Sequence, residues 1–291
     1  MDTSNPWKIM WREVFHDKIA LIGLILFVLI VGAIYILAIF VDNNIIMDVT
    51  RETLRNADQP PSSRFWLGTD RSGRDMFQML ILAARNSFNI AFLVAISGTI
   101  IGIIIGLFSG FYGGHIDNII MRFMDFLGMI PLIMLVALFI RLLAPIDVIT
   151  FSLLLIFLMS WQGTARLIRT MALRQGSMDY VSASKTMGTP GVIIIFREVL
   201  PNLVSIIISN FTLVLASFIG IETGLSFLGL GMPFNHPSLG LLVANARVPH
   251  DMQHRMWMWL PAAILIVIMM LCINFVGQAL NRAADARKRK V

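Results

Sequence analysis

Long apolar runs alternate with shorter polar segments along most of the chain. Runs of about 18 or more apolar residues are long enough to cross a bilayer as helices. The pattern predicts six membrane-spanning helices, at about 19–41, 89–111, 119–142, 148–161, 203–221 and 260–280. The sequence therefore predicts an all-α integral membrane protein.

The polar segments between these runs define the predicted domain organisation. Before the first run, Trp7, Met10, Trp11, Val14 and Phe15 recur at helical spacing opposite a polar face, which is typical of a helix lying in the membrane interface. The first run has no small-residue cleavage site, so it is predicted to be a retained anchor. The predicted units are an interfacial helix (1–18), a first span (19–41), an extracytoplasmic connection (42–85), a five-helix core (86–280) and a basic tail (281–291).

Composition supports a membrane protein without its own catalytic site. The chain is 57% hydrophobic and 14% charged, whereas soluble domains carry about 25% charged residues. Its single cysteine, Cys272, excludes an internal disulfide and an all-cysteine metal site. The sequence contains no P-loop, no H-E-x-x-H and no G-x-S-x-G with suitable partners. It therefore predicts no cofactor in this chain, and it does not predict an enzyme.

The basic residues indicate orientation rather than nucleic-acid binding. The net charge is +6, but Lys and Arg lie mostly at segment ends, where they set membrane topology. The polar connection 162–202 and the tail Arg287–Lys290 are both basic. We therefore expect cytoplasmic N- and C-termini and a cytoplasmic 162–202 connection.

The second predicted span carries glycines at every fourth position. Such a stripe removes side chains from one helix face and lets another backbone approach closely. It predicts helix packing, either within the subunit or against a partner, through Gly98, Gly102, Gly106 and Gly110. In the third span, Pro131 predicts a kink, and Arg122 and Asp125 are spaced to form an ion pair.

Turn signals concentrate in residues 179–202, between the fourth and fifth predicted spans. Residues 180–187 predict a short helix that ends at Gly188 in the left-handed conformation. Thr189 and Pro190 predict an N-cap and a first-turn proline for a second helix over 191–199. Pro201 suits the first turn of the fifth span. The stretch therefore predicts two short helices joined by a tight turn.

Three motifs carry a family resemblance. Ser182-Ala183-Ser184, Gly188 and Leu200-Pro201 resemble the EAA loop of binding-protein-dependent ABC importers. Ser182 replaces the usual Glu and Ser184 the usual Ala. Glu198 stands where the broad family has Ile, but peptide-type members often carry a polar residue there. The LGTD-x-x-GRD segment at 67–75 and the E-x-x-LSFLGLG segment at 222–231 resemble the oligopeptide, dipeptide and nickel permeases, most closely their C-type subunit.

The resemblance implies a type I ABC importer permease fold and a set of partners. These are a second homologous six-helix permease, one or two ABC ATPases that bind ATP and magnesium, an extracytoplasmic substrate-binding protein, a peptide substrate and membrane lipid, in a bacterial or archaeal cytoplasmic membrane. The resemblance also implies a coupling-helix loop that contacts the ATPase. Its implied ATPase-coupling residues are Tyr180, Ser182, Ala183, Ser184, Gly188, Leu200 and Pro201.

Other functions remain open at this stage. Importers of nickel, glutathione or another small solute share these motifs. A stand-alone ion-coupled carrier needs acidic residues near the membrane centre, but Asp125 and Glu222 lie toward span ends. An intramembrane enzyme lacks its catalytic groups here. For a substrate path, the candidates on the fifth span are Asn210, Ser217 and Glu222.

Overall fold

The fold follows from the apolar runs, which form helices around one central helix. A computed structural model describes residues 15–41, 49–143, 147–231 and 236–288. Most of the predicted interfacial helix (1–18) lies outside these residues. Within them the chain is helical, apart from connections and one isolated antiparallel bridge between Thr69 and Asp75.

We number the helices in chain order. They are α1 (Lys18–Ala38), α2 (Arg51–Leu54), α3 (Met76–Tyr112), α4 (Gly114–Met129), α5 (Leu132–Leu142), α6 (Val148–Leu155), α7 (Gln162–Gly176), α8 (Asp179–Thr186), α9 (Gly191–Ile194), α10 (Leu200–Phe227), α11 (Leu239–Val243), α12 (Pro249–His254) and α13 (Leu260–Lys288). A π-helical turn, Ile156–Ser160, follows α6, and another, Ile195–Val199, joins α9 to α10.

The number of long apolar helices differs from the six predicted. Among the described residues, four are long and apolar enough to cross a membrane: Lys18–Ala38, Met76–Tyr112, Gly191–Phe227 and Leu260–Arg282. A fifth arises if the bent pair α4 and α5 is one span. The predicted span at 148–161 consists of α6 and a π turn, about 20 Å long at 1.5 Å per residue, which is shorter than the hydrocarbon core of about 30 Å.

Several helix boundaries also differ from prediction. Helix α3 begins at Met76 rather than near residue 89, because the Asp75 carboxylate accepts a hydrogen bond from the Phe77 N–H at 2.8 Å and caps the helix. At Pro131 the predicted kink is a full break, with α4 and the following helix at 84°. Pro201 lies in the first turn of α10, where a proline is tolerated. The helix therefore continues from Gly191 to Phe227 without a loop.

The main core lies where α3 packs against α1, α10 and the π turn after α6. Its fully buried side chains include Leu82, Val94, Phe151, Ile219 and Met269. A second hydrophobic cluster lies under residues 179–202 and joins the end of α3 to α7, α9 and α10. The second cluster therefore positions the predicted loop on the helices that precede and follow it.

The LGTD-x-x-GRD segment forms a compact turn before α3. The Asp70 carboxylate accepts hydrogen bonds from the Ser72 and Arg74 N–H groups, at 2.9 and 2.8 Å, and from the Arg74 guanidinium at 2.7 Å. Gly73 has a φ of +77°, and an added Cβ would collide with the carbonyl of Thr53. These contacts give the motif a structural role, because they hold the turn that leads from the 42–85 connection into α3.

Candidate functional site

The turn between α8 and α9 is a Schellman motif centred on Gly188. Gly188 has a φ of +80°, and its N–H donates to the Lys185 carbonyl at 3.0 Å. The next N–H, from Thr189, donates to the Ser184 carbonyl at 3.1 Å. This pair of bonds satisfies the last carbonyls of α8 and favours glycine at the left-handed position. The left-handed conformation expected at Gly188 is present.

The second helix of the loop begins at Gly191 as predicted, but its N-cap is one residue later than predicted. Pro190 is the N-cap, with a ψ of 137°, and its carbonyl accepts from the Ile193 N–H at 2.9 Å. Thr189 is therefore not the cap. An extended residue at 190 brings Gly191 against α3, where an added Cβ would lie 3.0 Å from the Tyr112 hydroxyl. Residues 179–202 thus rest directly on the end of α3.

The two unusual residues of the loop contact each other. The Ser184 hydroxyl, on the buried face of α8, donates to the Glu198 carboxylate at 2.6 Å. The second oxygen of Glu198 is buried and has no hydrogen-bond partner among the described residues. The broad-family pattern has Ala and Ile at these positions, which would meet as apolar groups. A hydrogen bond between α8 and the π turn Ile195–Val199 replaces that contact here.

We predict that Ser184→Ala destabilises the chain by about 1–3 kcal/mol, because it leaves a buried carboxylate without its donor. The double variant Ser184→Ala/Glu198→Ile is expected to recover most of that loss, since both polar groups are removed together. Thermal unfolding in detergent of both variants and of the Glu198→Ile single variant measures the coupling. Additive effects of the two substitutions would contradict the pairing.

Tyr180 connects the loop to the helices on either side of it. Its hydroxyl donates to the Gln175 side-chain oxygen at 2.5 Å and accepts from the Asn202 side chain at 3.3 Å. Asn202 also donates to the Glu198 carbonyl at 2.8 Å. The end of α7, the start of α8 and the first turn of α10 therefore meet at one side chain.

The remaining predicted coupling residues lie at the surface or against the second cluster. Ser182, Ala183 and Pro201 are exposed, and Leu200 packs on the second cluster. Beside them lies an exposed apolar surface, which we call the 187–196 patch. It consists of Met187, Val192, Ile193 and Phe196. No described residue covers this surface, whereas the opposite face of the same helices is buried.

The glycine stripe of α3 packs within the subunit, against α7 and the π turn before it. Added Cβ atoms would lie 2.8 Å from the Trp161 carbonyl oxygen at Gly102, 2.6 Å from that of Ala165 at Gly106 and 2.5 Å from that of Arg169 at Gly110. Gly98 makes the same approach to Ser160. The stripe brings α3 into backbone contact with the helix that leads into the loop.

Two ion pairs connect α7 to α4. The Arg169 guanidinium donates to both carboxylate oxygens of Asp117, which also accepts from the Ser109 hydroxyl at 2.5 Å. One turn earlier, Arg166 pairs with Asp125 at 2.8 Å. The predicted pairing of Asp125 with Arg122 is thus replaced by a pair between helices.

The candidate substrate-path residues do not share a site. Asn210 donates to the Thr164 hydroxyl at 3.0 Å, and Ser217 donates to the Leu213 carbonyl of its own helix. Glu222 is 1% exposed and accepts hydrogen bonds from Ser87 and Ser226 at 3.0 and 2.7 Å. A cavity of about 190 Å³ contains none of the three. It is lined by Asn89, Ile90, Leu93, Val148, Ile149, Ser152 and Leu153.

Comparison with known proteins gives concordant matches over nearly the whole chain. Residues 102–290 match the family described as binding-protein-dependent transport system inner membrane component, and residues 5–61 match the N-terminal TM domain of oligopeptide transport permease C. The oligopeptide transport system permease protein OppC of Lactococcus lactis subsp. cremoris is 42% identical over 95% of this chain and 93% of its own length.

Relatives from Bacillus subtilis extend the similarity to two transport systems. The oligopeptide transport system permease protein OppC is 34% identical over 98% of this chain and 90% of its own length. The dipeptide transport system permease protein DppC is 32% identical over 96% of this chain and 85% of its own length.

Proposed function

The chain belongs to the family of binding-protein-dependent transport system inner membrane components, and from this membership we propose that it is the C-type permease subunit of an ATP-driven peptide importer. Members of this family are transport components rather than enzymes. The family and the long apolar helices make the chain a multi-pass protein of the bacterial membrane. Peptide is the proposed substrate because the relatives are named for oligopeptide and dipeptide transport.

The observation that supports this function best is the exposed 187–196 patch on a firmly held loop. Its buried face is fixed by the second hydrophobic cluster, the Ser184–Glu198 bond and Tyr180, while its outer face stays apolar and accessible. Exposed apolar surface rimmed by polar residues is typical of a protein interaction site. We propose that an ATPase subunit, which binds ATP and magnesium, docks on this face.

The proposed topology has six crossings with both termini in the cytoplasm. In addition to the four long helices, α4 with α5 makes one crossing. The sixth consists of α6, the π turn and α7, which follow one another with only Trp161 between them. This arrangement puts residues 179–202 on the cytoplasmic side, where an ATPase can reach them. A second permease completes the pathway, and a substrate-binding protein delivers peptide from outside.

Reconstitution tests the proposal. The tagged chain is purified in mild detergent from its native membrane, its partners are identified by mass, and the complex is placed in proteoliposomes with its binding protein. We expect a second permease and one or two P-loop ATPases, and we expect ATP-dependent uptake of labelled peptide. Controls are vesicles without ATP and vesicles with a non-hydrolysable ATP analogue.

Competition then identifies the substrate class. Unlabelled peptide is expected to reduce uptake of labelled peptide, whereas nickel ions and glutathione are not. Uptake of nickel or glutathione instead of peptide would contradict the substrate assignment while retaining the importer. Transport by this chain alone without ATP would contradict the proposed function.

A further inference from the structure

We propose that Asp117, Arg169 and Ser109 form the positioning contact through which movement of the 179–202 loop reaches the α4–α5 segment. This inference rests on the proposed function, because it assumes that an ATPase moves the loop. Among the described residues, the hydrogen bonds that join these three side chains do not include a residue of the loop. They act between the helix that carries the loop and two helices of the core.

The contact joins three helices within one turn. Arg169 is on α7, Ser109 is near the end of α3, and Asp117 is in the first turn of α4. At the same level, the α3 glycine stripe ends at Gly110, where the backbone of α7 comes into contact. Helices α3, α4 and α7 therefore meet at this point.

The geometry makes the contact stiff. A planar guanidinium that binds both oxygens of one carboxylate fixes direction as well as distance. The Asp117 side chain is 10% exposed and that of Arg169 is 28% exposed, so water competes poorly for either group. Separating them would leave a carboxylate with little solvation, which is far costlier than breaking an exposed pair. Helix α4 is therefore expected to follow α7 when α7 moves.

The chain supplies its own matched control. Arg166 and Asp125 connect the same two helices, but their side chains are 51% and 57% exposed and only one nitrogen–oxygen contact joins them. Exposed pairs of this kind contribute little. If movement passes to α4 through the Asp117 contact, neutralising Asp117 is expected to impair transport, whereas neutralising Asp125 is not.

Helix α4 can move at its start because Gly113 is its N-cap and Gly114 is its first residue. Gly113 and Gly114 have φ values of +61° and +62°, and an added Cβ at either would meet nothing within 4 Å. The chain between α3 and α4 is therefore a short turn without packing on its outer side. Just after this turn, the Asp117–Arg169 pair provides a direct side-chain connection from α4 to α7.

The test measures ATP hydrolysed per peptide transported by the reconstituted complex. For Asp117→Asn we expect this ratio to rise at least tenfold, with ATPase activity and subunit content unchanged. Arg169→Lys, which keeps the charge but loses the two-bond geometry, is expected to give a smaller rise. Asp125→Asn is expected to leave the ratio unchanged.

Three results would overturn the inference. The first is an unchanged ratio in Asp117→Asn, and the second is an equal rise in Asp125→Asn. The third is loss of ATPase subunits from purified Asp117→Asn, which would assign the residue to assembly.

If Asp117→Asn does not accumulate, Ser109→Ala provides a substitute test, because it keeps the ion pair. It is expected to raise the ratio about threefold, and the absence of a rise would likewise overturn the inference. Failure of the wild-type complex to import peptide would contradict the proposed function instead.

Discussion

Gly188→Glu is expected to abolish peptide uptake while the chain still inserts in the membrane at normal levels. Gly188 is in the left-handed region, with a φ of +80°, where a residue with a Cβ costs roughly 1–2 kcal/mol. An added Cβ would meet nothing within 4 Å, so the fold has room for the side chain. The new carboxylate instead stands beside the exposed apolar 187–196 patch. Peptide uptake by intact cells and immunoblots of their membranes measure the two effects.

Gly188→Asn is the matched control for this prediction. Asparagine adopts the left-handed conformation more readily than other residues with a Cβ, and it adds no charge. We expect it to retain most of the uptake. Normal uptake by Gly188→Glu, at membrane levels equal to those of the wild type, would contradict the assignment of this loop as the ATPase contact.

Gly106→Leu is expected to prevent stable folding. The leucine Cβ would lie 2.6 Å from the carbonyl oxygen of Ala165, which is backbone and cannot rotate away. Overpacking of this kind costs about 1–3 kcal/mol even where side chains can adjust. Here α3 and α7 must separate, and both the glycine stripe and the Asp117–Arg169 pair depend on their approach. Membrane levels and the apparent Tm in detergent report the loss.

Gly163→Leu provides the comparison on the helix that faces the stripe. Gly163 is exposed on α7, and an added Cβ would meet nothing within 4 Å. Because leucine favours a helix over glycine by roughly 0.8 kcal/mol, we expect unchanged or slightly higher stability. Equal stability of Gly106→Leu and the wild type would show that the two helices do not pack as described.

The features that local sequence could predict are those fixed by a few adjacent residues. The left-handed turn at Gly188 and the position of Pro201 in the first turn of α10 both depend on glycine or proline geometry, and both are present. The family resemblance drawn from three motifs is confirmed by the 42% identity over 95% of the chain. Period-four glycines indicated a packing face, but their spacing contained no information on which helix would meet it.

The features that sequence could not predict join distant residues. Arg169 bonds to Asp117 across 52 positions, and the nearer spacing of Arg122 to Asp125 pointed to a different pair. Ser184 and Glu198 read as separate departures from the family pattern, whereas the folded loop brings them together. Six spans were predicted, whereas the described residues contain four long apolar helices, or five with the bent pair, because apolar composition reveals neither the full break at Pro131 nor how short α6 is.

The unbroken helix from Gly191 to Phe227 has a mechanical consequence. Its 37 residues measure about 55 Å along the axis at 1.5 Å per residue. The 187–196 patch lies at one end, and Glu222 with its serine partners lies about 45 Å away near the other. The helix is thus a lever arm, and a tilt of about 5° around its midpoint would displace each end by roughly 2 Å. A small displacement of the patch would therefore move the buried Glu222 carboxyl group in the opposite direction.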